Sequence, residues 1–234
     1  MFNVINGKSQ QILAGFPDDH IDICITSPPY KDLDGYSPQL IQDIFWQVYR
    51  VLKPNSLLFL NFGHLANEKS RPFQVVLILE SLGFKLAETF TWIKTQYRPI
   101  QGRKRVNNLT EFVFMFYKGK MPDLDRLSIG LPYKDKSNVG RYNSIDLKCQ
   151  GNAWTIPYET IQHKSQKLHN DRFPIGLPLN CLKLADLQPG SLVLDPFGGS
   201  CTTGVAAKQL GHNFIGIDLN LNHCKLGRLR LSLV

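Results

Sequence analysis

The sequence predicts an α/β fold built on a mostly parallel sheet, and three observations lead to this expectation. Short apolar stretches of strand length alternate with amphipathic stretches of helix length at both ends of the chain. Glycine and proline residues stand at most of the boundaries between these stretches. The chain has 234 residues, of which 43% are hydrophobic and 20% are charged. This composition excludes a disordered protein and a coiled coil, and the length allows a large buried core.

The first half of the chain carries signals for five strands and three helices. The stretch from Ile21 to Thr26 is β-branched and almost continuously apolar, as expected of a strand that is covered on both faces. Leu40 begins a stretch whose apolar residues recur at helical spacing, and Ser9 is placed to cap the first helix. The pattern predicts strands over 2–6, 21–26, 56–61, 85–94 and 111–117, and helices over 9–16, 40–52 and 73–82.

Regular alternation of helices and strands resumes near Pro178. The spacing of apolar residues predicts helices over 179–187, 202–210 and 221–231, and strands over 191–194 and 214–217. Residues 118–170 show no strong periodicity, so we predict no element there.

The positive charge of the chain is concentrated in its middle. Residues 94–172 carry 15 Lys and Arg against 7 Asp and Glu, a surplus of eight that equals the net charge of +8. The other 155 residues carry 12 basic and 12 acidic side chains. A basic stretch between neutral flanks favours a polyanionic partner, although a solvated basic surface has the same composition.

Targeting signals and cysteine usage indicate an intracellular chain. No apolar run reaches the ~20 residues of a membrane span. The N-terminus also lacks the basic and apolar regions of a signal peptide, so we expect a cytoplasmic location and no membrane partner. The five cysteines form no CxxC pair, which is typical of free thiols and indicates neither disulfides nor a metal site.

A glycine-rich turn joins the strand at 191–194 to the next helix. Its sequence runs from Asp195 through Pro, Phe, Gly, Gly, Ser and Cys to Thr202, and glycines there let the backbone pass close beneath a ligand. The following strand ends at Asp218, 23 residues after Asp195, where a carboxylate can hold ribose hydroxyls. The pattern indicates a nucleoside-binding half, although neither GxGxxG nor GK[ST] is present. The alternative is an ordinary tight turn.

A second turn, Ser27-Pro28-Pro29-Tyr30, follows the strand at 21–26. The two prolines fix the backbone and remove two hydrogen-bond donors, so the turn is rigid. The Ser27 hydroxyl and the Pro28 carbonyl are acceptors, and Tyr30 offers a planar face. These groups suit a planar ring that bears an amino group. A structural proline turn with Tyr30 in the core is the alternative.

The two turns together resemble the DNA amino-methyltransferases, which use S-adenosylmethionine to methylate exocyclic nitrogens of cytosine or adenine. The resemblance extends to the Arg50–Pro54 and Trp92–Lys94 stretches and to nearly all of the chain outside 120–150. The catalytic turn precedes the cofactor turn, which matches the β arrangement of that family. Glutamine methyltransferases of release factors have an Asn-Pro-Pro-Tyr turn after the cofactor motif, so the order argues against them.

The resemblance implies a Rossmann-like class I methyltransferase fold with strands in permuted order and a small inserted target-recognition region. We expect a catalytic half over 1–93, the basic target-recognition region over 94–172, including the strand at 111–117, and a cofactor half over 173–234. Asp218 is expected to hold the ribose of S-adenosylmethionine, and other residues its remainder: Asp195, Phe197, Gly198, Gly199, Ser200, Cys201, Thr202, His169, Phe173 and Pro174.

The resemblance also implies a mechanism. The target base flips out of the duplex and stacks on Tyr30, and its amino group donates hydrogen bonds to Ser27 and the Pro28 carbonyl. Serine at position 27 favours cytosine N4, and adenine N6 stays an alternative. Lys8 and Cys201 stand where the family usually has an acidic residue and a glycine. A nucleic-acid-binding module with a decayed site is therefore a third reading.

Double-stranded DNA is the expected partner. The densest basic cluster, which we expect to contact it, consists of Arg98, Arg103, Lys104 and Arg105. A cognate restriction endonuclease and a second copy of the chain are further expected partners from the resemblance.

Overall fold

A computed structural model of the chain describes residues 1–29, 37–64, 68–96, 99, 102, 104, 106–141, 144–158 and 173–234. Its strands are β1 (Phe2–Asn6), β2 (Ile21–Thr26), β3 (Leu52–Gly63), β4 (Lys85–Lys94), β5 (Thr110–Tyr117), β6 (Ala153–Ile156), β7 (Leu192–Asp195) and β8 (Asn213–Asp218). Its α-helices are α1 (Ser9–Ala14), α2 (Pro38–Val51), α3 (Arg71–Ser81), α4 (Gly176–Leu184), α5 (Thr202–Gln209) and α6 (Leu221–Ser232).

Within these ranges the strands form one eight-stranded sheet in the order β1-β8-β7-β2-β3-β5-β4-β6. Only β5 runs antiparallel to its neighbours, and every other pair is parallel. The predicted α/β fold is therefore confirmed. The first and last strands in the chain, β1 and β8, lie side by side, so the N-terminal and C-terminal parts of the chain share one sheet.

Helices cover both faces of the sheet. One core cluster contains apolar residues of α1, α2 and α3, and the other contains those of α4, α5 and α6. Alternate residues of β2 enter opposite clusters: Ile23 and Ile25 face α4–α6, and Cys24 faces α1–α3. This two-sided burial explains why the Ile21–Thr26 strand is apolar at nearly every position.

Some predicted elements differ from those observed. β3 begins at Leu52, four residues earlier than predicted, because Leu52 pairs with Ile21. Ser9 is the first residue of α1 and Lys8 is its N-cap, so the predicted cap is wrong. β6 and a short 3₁₀ helix (Lys136–Asn138) lie in the region where we predicted no element.

The basic region 94–172 contributes to the core sheet through β5, as expected, and also through β6. Trp154 of β6 is fully buried and stacks on Phe90 with 4.2 Å between ring centroids. The three-part division of the chain stays a prediction. In the described ranges, no helix has the length and apolar character needed to cross a membrane.

Candidate functional site

The candidate site lies along the edge of the sheet where the parallel strands β1, β2, β3, β7 and β8 have their carboxyl ends. Both turns that the sequence analysis singled out start at this edge, after β2 and after β7. β2 and β7 are direct neighbours, with Ile23 paired to Val193 and Cys24 to Leu194. The fold therefore brings the two turns together, as ligand sites of α/β sheets require.

The turn after β2 is partly described. Ser27 is half-buried, Pro28 is buried and Pro29 is exposed. Tyr30 lies outside the described residues, so its stacking role stays a prediction.

Asp195 joins the two turns. Its carboxylate is 2% exposed and accepts hydrogen bonds from Thr26 Oγ1 at 2.7 Å, Thr203 Oγ1 at 2.8 Å and the Phe197 amide at 3.1 Å. Burial raises the pKa of Asp195 to about 6, and the three hydrogen bonds oppose that rise. The sequence analysis named Asp195 for the cofactor but missed Thr26 and Thr203, although each threonine directly adjoins one of the two turns.

The glycine-rich turn passes very close to β8. The Gly198 amide donates to the Ile217 carbonyl at 2.8 Å, and a Cβ at Gly198 would lie 3.3 Å from the Gly216 Cα. A side chain at position 198 would have to push this backbone away, so the close approach requires glycine. The turn is thus held against the end of β8, where Asp218 is the last residue.

Asp218 is fixed by its neighbours at the sheet edge. The Gly199 amide donates to its Oδ2 at 2.9 Å, the Asn220 amide donates to its Oδ1 at 2.8 Å, and His223 Nδ1 lies 3.2 Å from Oδ1. The Asn6 side chain donates to the Asp218 backbone carbonyl at 3.0 Å. A carboxylate has about four acceptor positions, so these contacts leave capacity for hydroxyl groups of a ligand.

Arg230 of α6 contacts the glycine-rich turn at Ser200 and Thr202. Its Nη1 donates to the Ser200 carbonyl at 2.6 Å and lies 3.0 Å from both Ser200 Oγ and Thr202 Oγ1. Ser200 and Thr202 are buried, and their hydroxyls contact Arg230. Their predicted cofactor contacts stay predictions. The sequence offered no signal for Arg230, because it lies 28 residues beyond Thr202.

Cys201 is buried with its sulfur directed into the protein. A Cβ placed on Gly227 of α6 would lie 2.4 Å from this sulfur, and one on Gly216 would lie 3.4 Å away. Burial raises the pKa of the thiol, with nearby Asp195 adding to the rise, so Cys201 is uncharged. Its contact with the cofactor stays a prediction.

The remaining cofactor candidates are placed as follows. Phe197 is half-buried, with its ring centroid 6.3 Å from that of Phe45. Phe173 is half-buried against the core, and the carbonyl of buried Pro174 accepts from the Leu177 amide at the start of α4. His169 lies outside the described residues.

Lys8 is exposed and follows Gly7, whose amide donates to the Asp218 backbone carbonyl at 3.0 Å. It occupies the N-cap of α1 without a side-chain hydrogen bond to the helix. The Ser9 hydroxyl donates to the Pro196 carbonyl and so ties α1 to the turn.

Of the expected DNA contacts, Lys104 is exposed, whereas Arg98, Arg103 and Arg105 lie outside the described residues. In the described part of the chain, no three His, Cys, Asp or Glu residues are grouped so that they could hold a metal ion.

Comparisons with known proteins show the family of the chain. A family model of N6 and N4 methyltransferases, described as DNA methylase, matches residues 21–228. The type II methyltransferase M.SmaI of Serratia marcescens is 26% identical over 97% of this chain and 90% of that protein. The DNA adenine methyltransferase YhdJ of Escherichia coli (strain K12) is 28% identical over 98% of this chain and 82% of its own length.

A solved structure shows the same fold. The cytosine-N4-specific PvuII DNA methyltransferase is 23% identical and aligns with a TM-score of 0.77 over 98% of this chain and 86% of its own. This likeness and the sheet order confirm the predicted Rossmann-like methyltransferase fold. Because the family model spans most of the sequence, the chain belongs to the family of DNA methylases that includes N6 and N4 methyltransferases.

Proposed function

We propose that this protein transfers a methyl group from S-adenosylmethionine to the exocyclic amino group of a base flipped out of double-stranded DNA. Family membership supports the methylase activity and its DNA substrate. The observation that carries the proposal is the hydrogen bond from Thr26 to Asp195, which ties the Ser27-Pro28 turn to the glycine-rich turn. This contact supports a cofactor site and an amino-group site that lie side by side.

The cofactor half offers a complementary group for each part of S-adenosylmethionine. The Asp218 carboxylate would accept from the ribose hydroxyls, and the half-buried Phe197 ring would face the sulfonium cation. Phe173 and Pro174 would close over the methionine part, together with His169. Lys8 cannot accept a hydrogen bond from the adenine amino group, so we propose no such role for it.

The catalytic turn acts on the lone pair of the amino nitrogen. When bound, S-adenosylmethionine supplies an electrophilic methyl group on its sulfonium sulfur. The Ser27 hydroxyl and the Pro28 carbonyl would accept hydrogen bonds from the amino group and favour a tetrahedral nitrogen, which withdraws its lone pair from the ring. Tyr30 would stack on the base and hold the nitrogen in line with the methyl group. Transfer of the methyl group would form the nitrogen–methyl bond, break the sulfur–methyl bond and release a proton from the nitrogen to solvent.

We propose cytosine N4 as the target atom, because position 27 is serine. Adenine N6 is the competing assignment, and the adenine methyltransferase among the relatives keeps it open. We also propose a cognate restriction endonuclease as a partner, a homodimeric state and a cytoplasmic location.

Two measurements test the proposal. Calorimetry should detect binding of S-adenosylmethionine, and no binding at millimolar concentration would favour a decayed nucleic-acid-binding module. Plasmid DNA incubated with the protein and labelled cofactor should then contain N4-methylcytosine by mass spectrometry of its nucleosides. Finding N6-methyladenine alone would overturn the base assignment while leaving the methyl transfer intact.

Ser27→Ala tests the role of the catalytic turn. The variant loses an acceptor for the amino group but no group that we assign to the cofactor, so turnover should fall at least tenfold while the Kd of S-adenosylmethionine changes less than twofold. Steady-state methylation of plasmid DNA and calorimetry measure the two quantities. An equal loss of both would refute the assignment.

A further inference from the structure

A row of polar side chains crosses four adjacent strands at the same edge of the sheet. Thr26 pairs with Leu60, so Ser27 stands level with Asn61 of β3. Glu111 of β5 pairs with Gly63, two residues beyond Asn61. Lys94 ends β4 at the same edge. Alternate residues of β2, β3, β4 and β5 belong to the core cluster that faces α4–α6, which puts all four polar side chains on that face.

Three of these side chains form a buried network. Asn61 Nδ2 donates to Glu111 Oε2 at 3.1 Å and to the Phe112 carbonyl at 3.0 Å, and Lys94 Nζ lies 2.5 Å from Glu111 Oε1. The Lys94 and Glu111 side chains are only 13% and 11% exposed. Burying an ion pair to this extent has a large cost in desolvation free energy, so stability alone does not account for the pair.

The network determines which atom of Asn61 can recognise a ligand. Its two N–H donors are directed to the Glu111 carboxylate and the Phe112 carbonyl, and Glu111 can only accept, which prevents the amide from turning over. The other polar atom of the side chain, Oδ1, is an acceptor with two lone pairs. It can therefore keep a protein partner and still accept a hydrogen bond from a ligand.

Lys94 and Glu111 also flank the basic segment. They stand at the end of β4 and near the start of β5, and residues 95–109 between them include the proposed DNA contacts Arg98, Arg103, Lys104 and Arg105. The Lys94 amide donates to the Leu109 carbonyl at 2.8 Å, so a backbone hydrogen bond joins the two ends of this segment. The ion pair thus links the proposed DNA-binding segment to the strand beside Ser27.

We propose that Lys94 and Glu111 are positioning residues that hold Asn61 Oδ1 as an acceptor on the wall of the target-base pocket. This inference rests on the proposed function. The two N–H groups of the target amino group would be shared among three acceptors, Asn61 Oδ1, Ser27 Oγ and the Pro28 carbonyl. Such a wall accepts the amino group at cytosine N4 or adenine N6 and repels the carbonyl oxygen at thymine O4 or guanine O6, so the network favours cytosine and adenine over thymine and guanine.

Glu111→Gln tests the proposal, because the amide it introduces can donate to Asn61 and release its orientation. The single-turnover rate of plasmid methylation at saturating S-adenosylmethionine should fall at least tenfold, with the cofactor Kd changed less than twofold. Lys94→Met should give a similar loss, and Lys94→Arg should stay within about threefold of the wild type. Lys53→Met is the matched control, because it breaks the ion pair with Asp22 at the opposite edge of the sheet.

Each outcome decides for or against the positioning role. If Glu111→Gln is unfolded at the assay temperature, the charge-neutral variant Lys94→Met/Glu111→Gln replaces it with the same expectation. Two results would overturn the inference: variant rates within twofold of the wild-type rate, or a parallel loss of rate and cofactor affinity. In both cases an active wild type would still support the proposed function. A wild type that methylates no DNA would instead overturn the proposed function and this inference with it.

Discussion

Cys201 shows how one residue is accommodated by another that is distant in sequence. Its backbone is in the left-handed region, with φ of 58°, where a side chain costs about 1–2 kcal/mol relative to glycine. Its sulfur fills the space in front of Gly227, where α6 passes over the turn. Cysteine at position 201 therefore favours glycine at position 227.

Gly227→Ala should destabilise the fold, because its Cβ would lie 2.4 Å from the Cys201 sulfur. We expect a loss of about 1–3 kcal/mol in the free energy of unfolding, as overpacked cores show. In a Cys201→Gly background the same substitution should cost little or stabilise, because alanine is the better helix former by about 1 kcal/mol.

A double-mutant cycle of urea unfolding measures this coupling between positions 201 and 227. Lys225→Ala, at an exposed position of the same helix, should add independently to Cys201→Gly. Additive effects for the 201 and 227 pair would show that the sulfur is not the obstacle.

At the scale of elements, α6 is the support of the glycine-rich turn as well as the final helix. Arg230 bonds the turn at Ser200 and Thr202, whereas Arg228, one half-turn earlier, bonds the Val4 carbonyl of β1 at 2.6 Å. Both arginines anchor the helix, but only Arg230 contacts the turn that we assign to the cofactor.

Arg230→Met should weaken cofactor binding, because the turn loses hydrogen bonds to a charged donor worth about 1.5–3 kcal/mol. We expect the Kd of S-adenosylmethionine to rise about tenfold or more by calorimetry. Arg228→Met is the matched control and should lower the unfolding temperature with the Kd changed less than twofold. The same rise in Kd for both variants would assign the effect to the helix as a whole.

Most elements could be predicted from the sequence because their signals are local. β1, β2 and β4 were predicted at the observed residues, since each apolar run ends at a clear boundary. β6 was missed because four residues of alternating burial make too short a pattern. The meeting of Thr26 with Asp195 could not be derived locally, because 169 residues separate them and only the pairing of β2 with β7 brings them together.

At the scale of the whole molecule, Asp195 couples the stability of the sheet edge to pH. Its folded pKa of about 6 lies above the unfolded value of ~3.9. The folded state therefore binds this proton more tightly, so the stabilisation is fully present below pH ~4 and is lost as the pH rises through 6. The shift of roughly two pKa units corresponds to about 3 kcal/mol.

Asp195→Asn should remove this contribution while keeping an acceptor for the threonine hydroxyls. The difference in the free energy of unfolding between wild type and variant should change by about 2–3 kcal/mol between pH 4 and pH 7, in the direction that favours the wild type at low pH. Urea unfolding at four pH values measures it. A constant difference across this range would mean that Asp195 titrates alike in the folded and unfolded chains.

The uneven charge of the molecule predicts how it holds DNA. The surplus of eight positive charges lies within residues 94–172, and the sheet and helices outside this range are neutral in sum. The segment between β4 and β5 is the densest part of this surplus, with four basic and no acidic residues over 95–109, so phosphate contacts should come from there. Changing Arg103, Lys104 and Arg105 to Gln should weaken DNA binding and lower the slope of log K against log salt concentration by up to about 3, since each lost phosphate contact removes roughly 0.9.

Fluorescence anisotropy with a labelled duplex at several salt concentrations measures both the affinity and the slope. The matched control changes three exposed lysines outside this segment, Lys53, Lys85 and Lys183, to Gln. It lowers the net charge by the same amount, so a purely long-range effect of net charge would alter both variants alike. A slope that falls only in the segment variant would locate the phosphate contacts there. Equal slopes in the two variants would contradict the assignment of this segment to DNA.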